Sequence, residues 1–311
     1  MKTISIVTTC FNEEENVELL YEKVKEVFKN ELSEYKYEHI FVDNSSVDNT
    51  VEILKNIAKD DKNVKIIVNS RNFGHIRSGM YALLQAKGDA VISLVADFQD
   101  PPELIPTLVK KWEEKNDIVV MIKKDSAENK FMFKVRKIYY SILDKVSEVK
   151  IFQNFTGFGL YDKKVMKAIN KMNDPYPFFR GMIAEVGYKV AKIDYNQPVR
   201  ERGITKNNFY TLYDIAMLGI INNSKVPLRI TIFIAAITAI LSFFVGLGYF
   251  ILKIIYWDSM TIGIAPLVIG GSFAFSILLF FMGIIGEYIG AIYTQILNRP
   301  LIFEKERINF D

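Results

Sequence analysis

A chain of 311 residues, 50% of them hydrophobic and 24% charged, can hold one good-sized globular domain plus something more apolar than a soluble protein of that size needs. Its 39 basic and 36 acidic residues are mixed throughout and leave a net charge of +3, so composition does not support a nucleic-acid-binding surface, although acidic lipid near a membrane remains compatible with it. One cysteine, Cys10, and two histidines, His39 and His75, exclude a disulfide framework and a cysteine-rich metal site, and fit a reducing, cytoplasmic face.

The amino terminus, MKTISIVTTC, runs straight into a strand pattern, and no cleavable signal peptide is expected. Over residues 1–206 the short β-branched runs ISIVTT, HIFVD, VKIIV, AVISLV and DIVVMI alternate with segments of helical period. That is the signature of βαβ units on a mainly parallel sheet, an α/β domain. Asn12 with Glu15 three residues later predicts a capping box, and Val17, Leu20, Val24, Val27 and Phe28 mark one face of the helix that follows. The loops at the strand carboxyl ends, TTCFNEE, VDNSSVDNT, NSRNFGH and VADFQDPP, should form the ligand crevice. Each sets hydrogen-bonding side chains where helix N-termini present free N–H groups, so the expected guest is phosphorylated. No GxGxxG follows the first strand and no GxxxxGK[ST] occurs, which removes the main warrant for a dinucleotide or P-loop site.

In DFQDPPE, Asp100 reads as the N-cap of a helix with proline in its first turn. Asp97 and Gln99 have no such local use, and an oxygen pair at a strand end suits a hard divalent ion beside a diphosphate. Farther on, Phe131, Val135, Ile138, Tyr139, Ile142 and Val146 mark an amphipathic helix that either borders an acceptor with Arg136 and Lys137 near lipid headgroups or packs on the core. Residues 207–229 read as juxtamembrane amphipathic helices, with Phe209, Leu212, Tyr213, Ala216 and Ile220 at helical spacing. Uncharged runs over 230–252 and 262–286 each exceed the roughly 20 residues a bilayer-crossing helix needs, and are expected to be transmembrane helices. Lys225, Arg229, Arg299, Lys305 and Arg307 flank them on one side, which predicts both termini, including a tail over 287–311, on the cytoplasmic face of an inner membrane. Small residues at Gly270, Gly271, Gly283, Gly286 and Gly290 would let helices approach closely, either in a homo-oligomer or between the two spans.

Together, CFNEEENVELL, FVDNSSVDNT, SRNFGH, ADFQDPPELIP and GEYIGAIYTQILNRP resemble, in order and over nearly the whole chain, the membrane-anchored polyprenyl-phosphate glycosyltransferases of glycosyltransferase family 2. The resemblance implies a GT-A (Rossmann-like) fold that takes a nucleotide sugar, UDP-glucose by the closer bacterial likeness, and a Mg²⁺ or Mn²⁺ ion. It also implies inverting transfer of a single hexose to undecaprenyl phosphate or a related polyprenyl phosphate, for cell-envelope glycan modification. Carried over by motif, Thr9, Phe11 and Glu13 would line the nucleotide pocket, with Asp43 on the base or ribose and Arg71 nearby. Asp97 would bind the metal with Gln99, and Arg200, Arg202 and Lys206 in VRERGITK, similar to the family's RxxGxSK, would clamp the acceptor phosphate or the leaving diphosphate. Two positions depart from the pattern: Val95 stands where the family's DxD has its first aspartate, and Gly157 stands where many relatives carry an acidic residue. A processive polysaccharide synthase would want a QxxRW-like motif, which neither Trp112 nor Trp257 supplies, whereas a catalytically silent nucleotide-sugar-binding scaffold is kept in view by Val95 and Gly157.

Overall fold

The computed structural model describes residues 1–124, 147, 149–198, 209–256 and 264–310. The amphipathic segment around Arg136 and the loop holding Arg200, Arg202 and Lys206 lie outside the described residues.

All five predicted strand runs form strands: β1 (Thr3–Cys10), β2 (Lys36–Asp43), β3 (Val64–Asn69), β4 (Ala90–Val95) and β5 (Ile118–Lys123). Three more complete an eight-stranded sheet: β6 (Phe155–Asp162), β7 (Val190–Tyr195) and β8 (Glu304–Ile308), in the order β7-β5-β6-β4-β1-β2-β3-β8. β1 lies parallel between β2 and β4, and Ile4 and Ile6 are fully buried, as a strand covered on both faces requires. β6 runs antiparallel between β4 and β5 within the mainly parallel sheet and brings the start of β6 to the end of β4. At Gly159 the β5 backbone comes so close that a Cβ would fall on the Val119 carbonyl, so only glycine fits.

Helices cover both faces. On one side α1 (Val17–Asn30), α2 (Thr50–Asp60) and α4 (Ile105–Glu113) bury Leu20, Val24, Phe28, Leu54 and Leu108. On the other, α3 (His75–Gln85), α5 (Lys163–Met172) and α6 (Phe179–Glu185) bury Met80, Leu83, Val165, Ile169 and Ile183. The capping box expected at Asn12 is not formed. Helix α1 starts at Val17, and Asn12, at φ 54°, turns its carboxamide oxygen to accept from Val47 N at 2.9 Å, bracing a neighbouring loop instead.

α7 (Phe209–Asn223) packs Leu218 and Ile220 on Ile151 and Phe178 of the domain. α8 (Val226–Ile255) overruns its uncharged stretch at both ends and α9 (Ile264–Leu297) overruns its own at the carboxyl end; at 1.5 Å per residue they span about 45 and 51 Å against a hydrocarbon core of about 30 Å. They are long and apolar enough to cross a membrane, and Phe233, Phe243, Phe273 and Ile296 stand exposed on them.

The residues expected to be a tail return to the sheet. β8 pairs antiparallel with β3, Ile66 opposite Ile308, and Ser70 N donates to Phe303 O at 2.9 Å. Asn309, at φ 59°, donates through Nδ2 to Ala58 O and Val64 O, both at 2.8 Å. Asn309→Ala strands two carbonyls and puts an alanine in a left-handed conformation. It should cost about 1–3 kcal/mol, seen as a lower melting temperature of the purified protein, while Asn309→Gly should lose the bonds without the strain and fall less.

Candidate active site

The carboxyl ends of β1 and β2 carry two loops stitched together side by side. Asn12 N donates to Ser46 Oγ at 2.8 Å, Glu13 N to Thr50 Oγ1 at 2.9 Å, and Asn49 N to Glu14 Oε2 at 2.9 Å. Asp43 closes the second loop by accepting from Ser46 N at 2.9 Å and from the Ser46 hydroxyl. Burial raises its pKa above the ordinary carboxylate value, and the same burial, with the Asp43 charge, raises the Cys10 thiol. A third loop is fixed by carboxamides: Asn44 Nδ2 and Gly74 N both donate to Asn72 Oδ1 at 2.8 Å, and Asn44 Oδ1 accepts from Phe73 N and Asn69 Nδ2. Arg71 is exposed, its guanidinium 4.0 Å over the Phe73 ring.

After β4 the chain makes a tight turn with Phe98 at φ 59°, and Gln99 N donates to Asp97 Oδ1 at 3.2 Å. Asp97 and Gln99 are half-buried. Asp100 is not the N-cap that its sequence context suggests. The short 3₁₀ turn Pro102–Leu104 has Pro101 at its N-cap, and Asp100, only 3% exposed, faces inward to accept from Tyr195 Oη at 3.3 Å and Val95 N at 3.4 Å. Burial, with the Asp97 charge beside it, pushes its pKa up to about 7. β7 therefore ends against the DFQDPP turn.

A cavity of about 230 Å³ opens beside these loops, lined among others by Thr9, His75, Val95, Thr156, Gly157 and Arg180. The β4–β6 pairing makes this wall: two residues beyond the Ser93–Gly159 pair, Val95 and Gly157 meet in one cavity. Of the residues predicted from the sequence, Thr9 lines the cavity, Phe11 and Glu13 sit half-buried at the β1 end, and Asp97 borders a second hollow with Asn16 and Lys23. His75 and Arg180 were missed as site residues. His75 is one of two histidines in the chain and sits inside SRNFGH, a usable signal; Arg180 follows an aromatic run with no period to mark it. Burial and the Arg180 charge lower the His75 pKa, favouring the neutral ring.

Among the described residues no group of three or more His, Cys, Asp or Glu is placed to hold a metal. Asp97 and Gln99 offer two hard oxygen donors on one turn, which fits a divalent cation that takes its other ligands from a diphosphate and water.

A doubly covered sheet with polar, N–H-rich loops at one end defines a transferase of the GT-A fold. The chain belongs to glycosyl transferase family 2, whose model matches residues 5–169. A prophage-derived bactoprenol glucosyl transferase of Shigella flexneri is 33% identical over 298 residues, 96% of each chain. An uncharacterized glycosyltransferase of Synechocystis sp. is 34% identical over 301 residues, 96% of this chain and 93% of its own. Among solved structures, glucosyl-3-phosphoglycerate synthase of Mycobacterium tuberculosis, in complex with Mn²⁺, UDP-glucose and phosphoglyceric acid, shares 15% identity over 71% of this chain and 78% of its own, with a TM-score of 0.47. At that distance no detail of its site carries over.

Two buried groups give opposite pH dependences. His39, fully buried with only Thr8 Oγ1 at 3.0 Å for a polar partner, has its pKa lowered from 6.5 to about 3 by burial. The unfolded chain therefore binds the extra proton below pH 6.5, and stability falls with pH by about 1.4 kcal/mol per unit. Asp100 has a folded pKa raised from 3.8 to about 7, so its contribution is fully present below 3.8 and is lost as pH rises through 7. Between pH 6.5 and 3.8 the two slopes oppose each other. Melting the purified protein at pH 7.5 and 5 should show little change from this pair in the wild type. Asp100→Asn should lose stability on acidification, and His39→Gln should gain it.

Proposed function

We propose that the chain transfers a single hexose, glucose from UDP-glucose, to a polyprenyl phosphate such as undecaprenyl phosphate at the cytoplasmic face of a membrane. The observation that carries this is the extent of the likeness: relatives named bactoprenol glucosyl transferase match 96% of the chain, spans included, at 33% identity. The placement of both termini on the cytoplasmic side follows from the basic flanks of the two apolar helices.

In this mechanism Thr9, Phe11, Glu13, Asp43 and Arg71 seat the nucleotide at the ends of β1, β2 and β3. Asp97, with Gln99, holds a Mg²⁺ or Mn²⁺ ion, whose chemistry is to neutralise the charge growing on the leaving diphosphate. An oxygen of the lipid phosphate attacks the anomeric carbon from the face opposite the nucleotide. The new C–O bond forms as the bond to the diphosphate breaks, and the anomeric configuration inverts. A phosphate monoester has a second pKa of about 6, so the nucleophile is largely dianionic near neutral pH and needs no general base. That makes the glycine at 157 tolerable. Arg200, Arg202 and Lys206 clamp the acceptor phosphate or the departing diphosphate, and positioning and electrostatics carry the rate.

The test is a transfer assay with purified protein, short-chain polyprenyl phosphate, Mg²⁺ or Mn²⁺ and a panel of labelled nucleotide sugars, counting label extracted into organic solvent. UDP-glucose should give labelled lipid. Chelator, or Asp97→Ala, should lower the rate by about 100-fold or more. Arg200→Ala should abolish transfer while donor binding changes less; full activity in that variant removes the clamp. Donor binding without any transfer would instead favour the silent scaffold, with the carboxylates absent at Val95 and Gly157 as its cause.

A further inference from the structure

Three arginines gather where the chain leaves α9 and returns to the sheet. Arg77, in the first turn of α3, donates through Nη2 to Pro300 O at 2.7 Å, which places it beside Arg299. Its guanidinium lies 5.2 Å from the centroid of the Phe73 ring, which also carries Arg71 at 4.0 Å. Arg71 has Asn72 O as its hydrogen-bond acceptor, and the Arg77 Nε–H is buried with no partner. Among the described residues no ion pair includes Arg71, Arg77 or Arg299. Of the nearby carboxylates, Glu304 is paired with Arg307, and Asp174, which lines a hollow with Arg299, accepts from Gln295 Nε2 and Tyr176 N through one oxygen and forms no ion pair among the described residues. Burial, with the charges of Arg71 and Arg299 beside it, lowers the Arg77 pKa. Three guanidiniums without an ion pair among the described residues, one of them in the first turn of a helix, outnumber the single carboxylate of Asp174 beside them, and an anion would relieve their repulsion.

The setting says which anion. Ile285, Ile289, Ile292, Tyr293 and Ile296 form an exposed apolar stripe along the last turns of α9, and Arg299 follows three residues after the stripe ends. Phe303, 58% exposed, has its ring centroid 6.2 Å from that of Phe73. Apolar surface meeting basic side chains in this way matches the boundary between acyl chains and phosphates. Arg77 does not line the cavity bordered by its neighbours His75 and Ile76; it points to Pro300 instead, so Arg77 and Arg299 lie outside that cavity while Arg71 stands between them and the donor seat.

We propose that Arg77 and Arg299, with Arg71 alongside, bind the phosphate of an anionic phospholipid headgroup, fastening the β3–α3 loop to the membrane surface. The inference rests on reading α8 and α9 as membrane spans. Bidentate contact by guanidiniums suits a phosphodiester, and holding this loop steady also steadies Arg71 next to the donor seat.

The experiment titrates the full-length protein in non-ionic detergent with phosphatidylglycerol or phosphatidylcholine and counts retained lipid by native mass spectrometry. Arg299→Gln and Arg77→Gln should weaken phosphatidylglycerol retention about tenfold, or about 1.4 kcal/mol, and leave phosphatidylcholine retention as it was. Arg299 donates no side-chain hydrogen bond among the described residues, so its variant should fold even where the Arg77 variant does not, with nucleotide-sugar binding as the check on folding. Equal phosphatidylglycerol retention by wild type and Arg299→Gln overturns the proposal. So does displacement of the lipid by an equimolar amount of inorganic phosphate, which would make this a free-phosphate site. Loss of polyprenyl-phosphate transfer by Arg299→Gln in phospholipid-free detergent would assign the cluster to the acceptor and overturn it as well. A protein that stays in solution without detergent, and whose wild type retains no lipid, fails the membrane reading itself and is thereby distinguished from a missing site.

Discussion

Thr9 is paired with Val42 on one side and with Val95 on the other, and this double register decides where each strand-end loop begins. Because β1, β2 and β4 are parallel and end nearly level, the loops after Cys10, Asp43 and Val95 open on the same side of the sheet. A slip of one residue in either ladder would exchange the two helix layers that the strand's side chains meet, Ile4 and Ile6 on one face and Val7 on the other, so the core holds the register and the register holds the site. The hydrogen bonds between the first two loops, from Asn12, Glu13 and Glu14 to Ser46, Thr50 and Asn49, are available only in that alignment. This explains why Asn12 abandons helix capping: its carboxamide gains more from joining two loops than from starting α1.

The far edge of the sheet is finished by residues from the other end of the chain. β8 covers β3, and Arg307 joins Glu304, Tyr81 and Gln85 across the edge. A helix long enough to cross a membrane is thereby anchored on both sides: by Tyr288 Oη donating to Ser224 O at 2.7 Å near the start of α8, and by the strand that follows Arg299. The catalytic sheet cannot swing freely on a linker, since leaving α9 would require breaking the ladder that runs from Glu304 opposite Asn69 to Ile308 opposite Ile66.

The sheet was legible where burial on both faces writes an uninterrupted apolar run, as in β1 through β5. It was illegible where strands are short and charged. EKERI alternates ionic side chains along an exposed edge, a device that prevents further pairing and also hides the strand from any hydrophobic pattern. The site was readable at its turns, where Asp43 and the DFQ segment carry polar residues that no core needs. Its cavity wall was not, because Thr156 and Gly157 reach it through the antiparallel insertion of β6 and Arg180 from the start of α6, and such long-range placement leaves no local signature. Asp100 misled for a related reason. Its neighbours Pro101 and Pro102 look like a helix start, and only Tyr195, 95 positions away, reveals the inward carboxyl.

Val95 and Gly157 belong to one physical argument because they face the same cavity. An aspartate at either place would set a negative charge in the wall past which, on the proposed function, a dianionic phosphate must approach the sugar. At an effective dielectric constant of about 20, two unit charges 4 Å apart repel by about 4 kcal/mol. Without those carboxylates the wall carries no negative charge, with His75 held toward its uncharged form and Arg180 making it positive. On the proposed function the cost would fall on the cation: with one aspartate fewer, Asp97 and Gln99 would share it with the donor's own diphosphate. Donor and metal should then bind together rather than in sequence, since neither has a complete set of partners without the other.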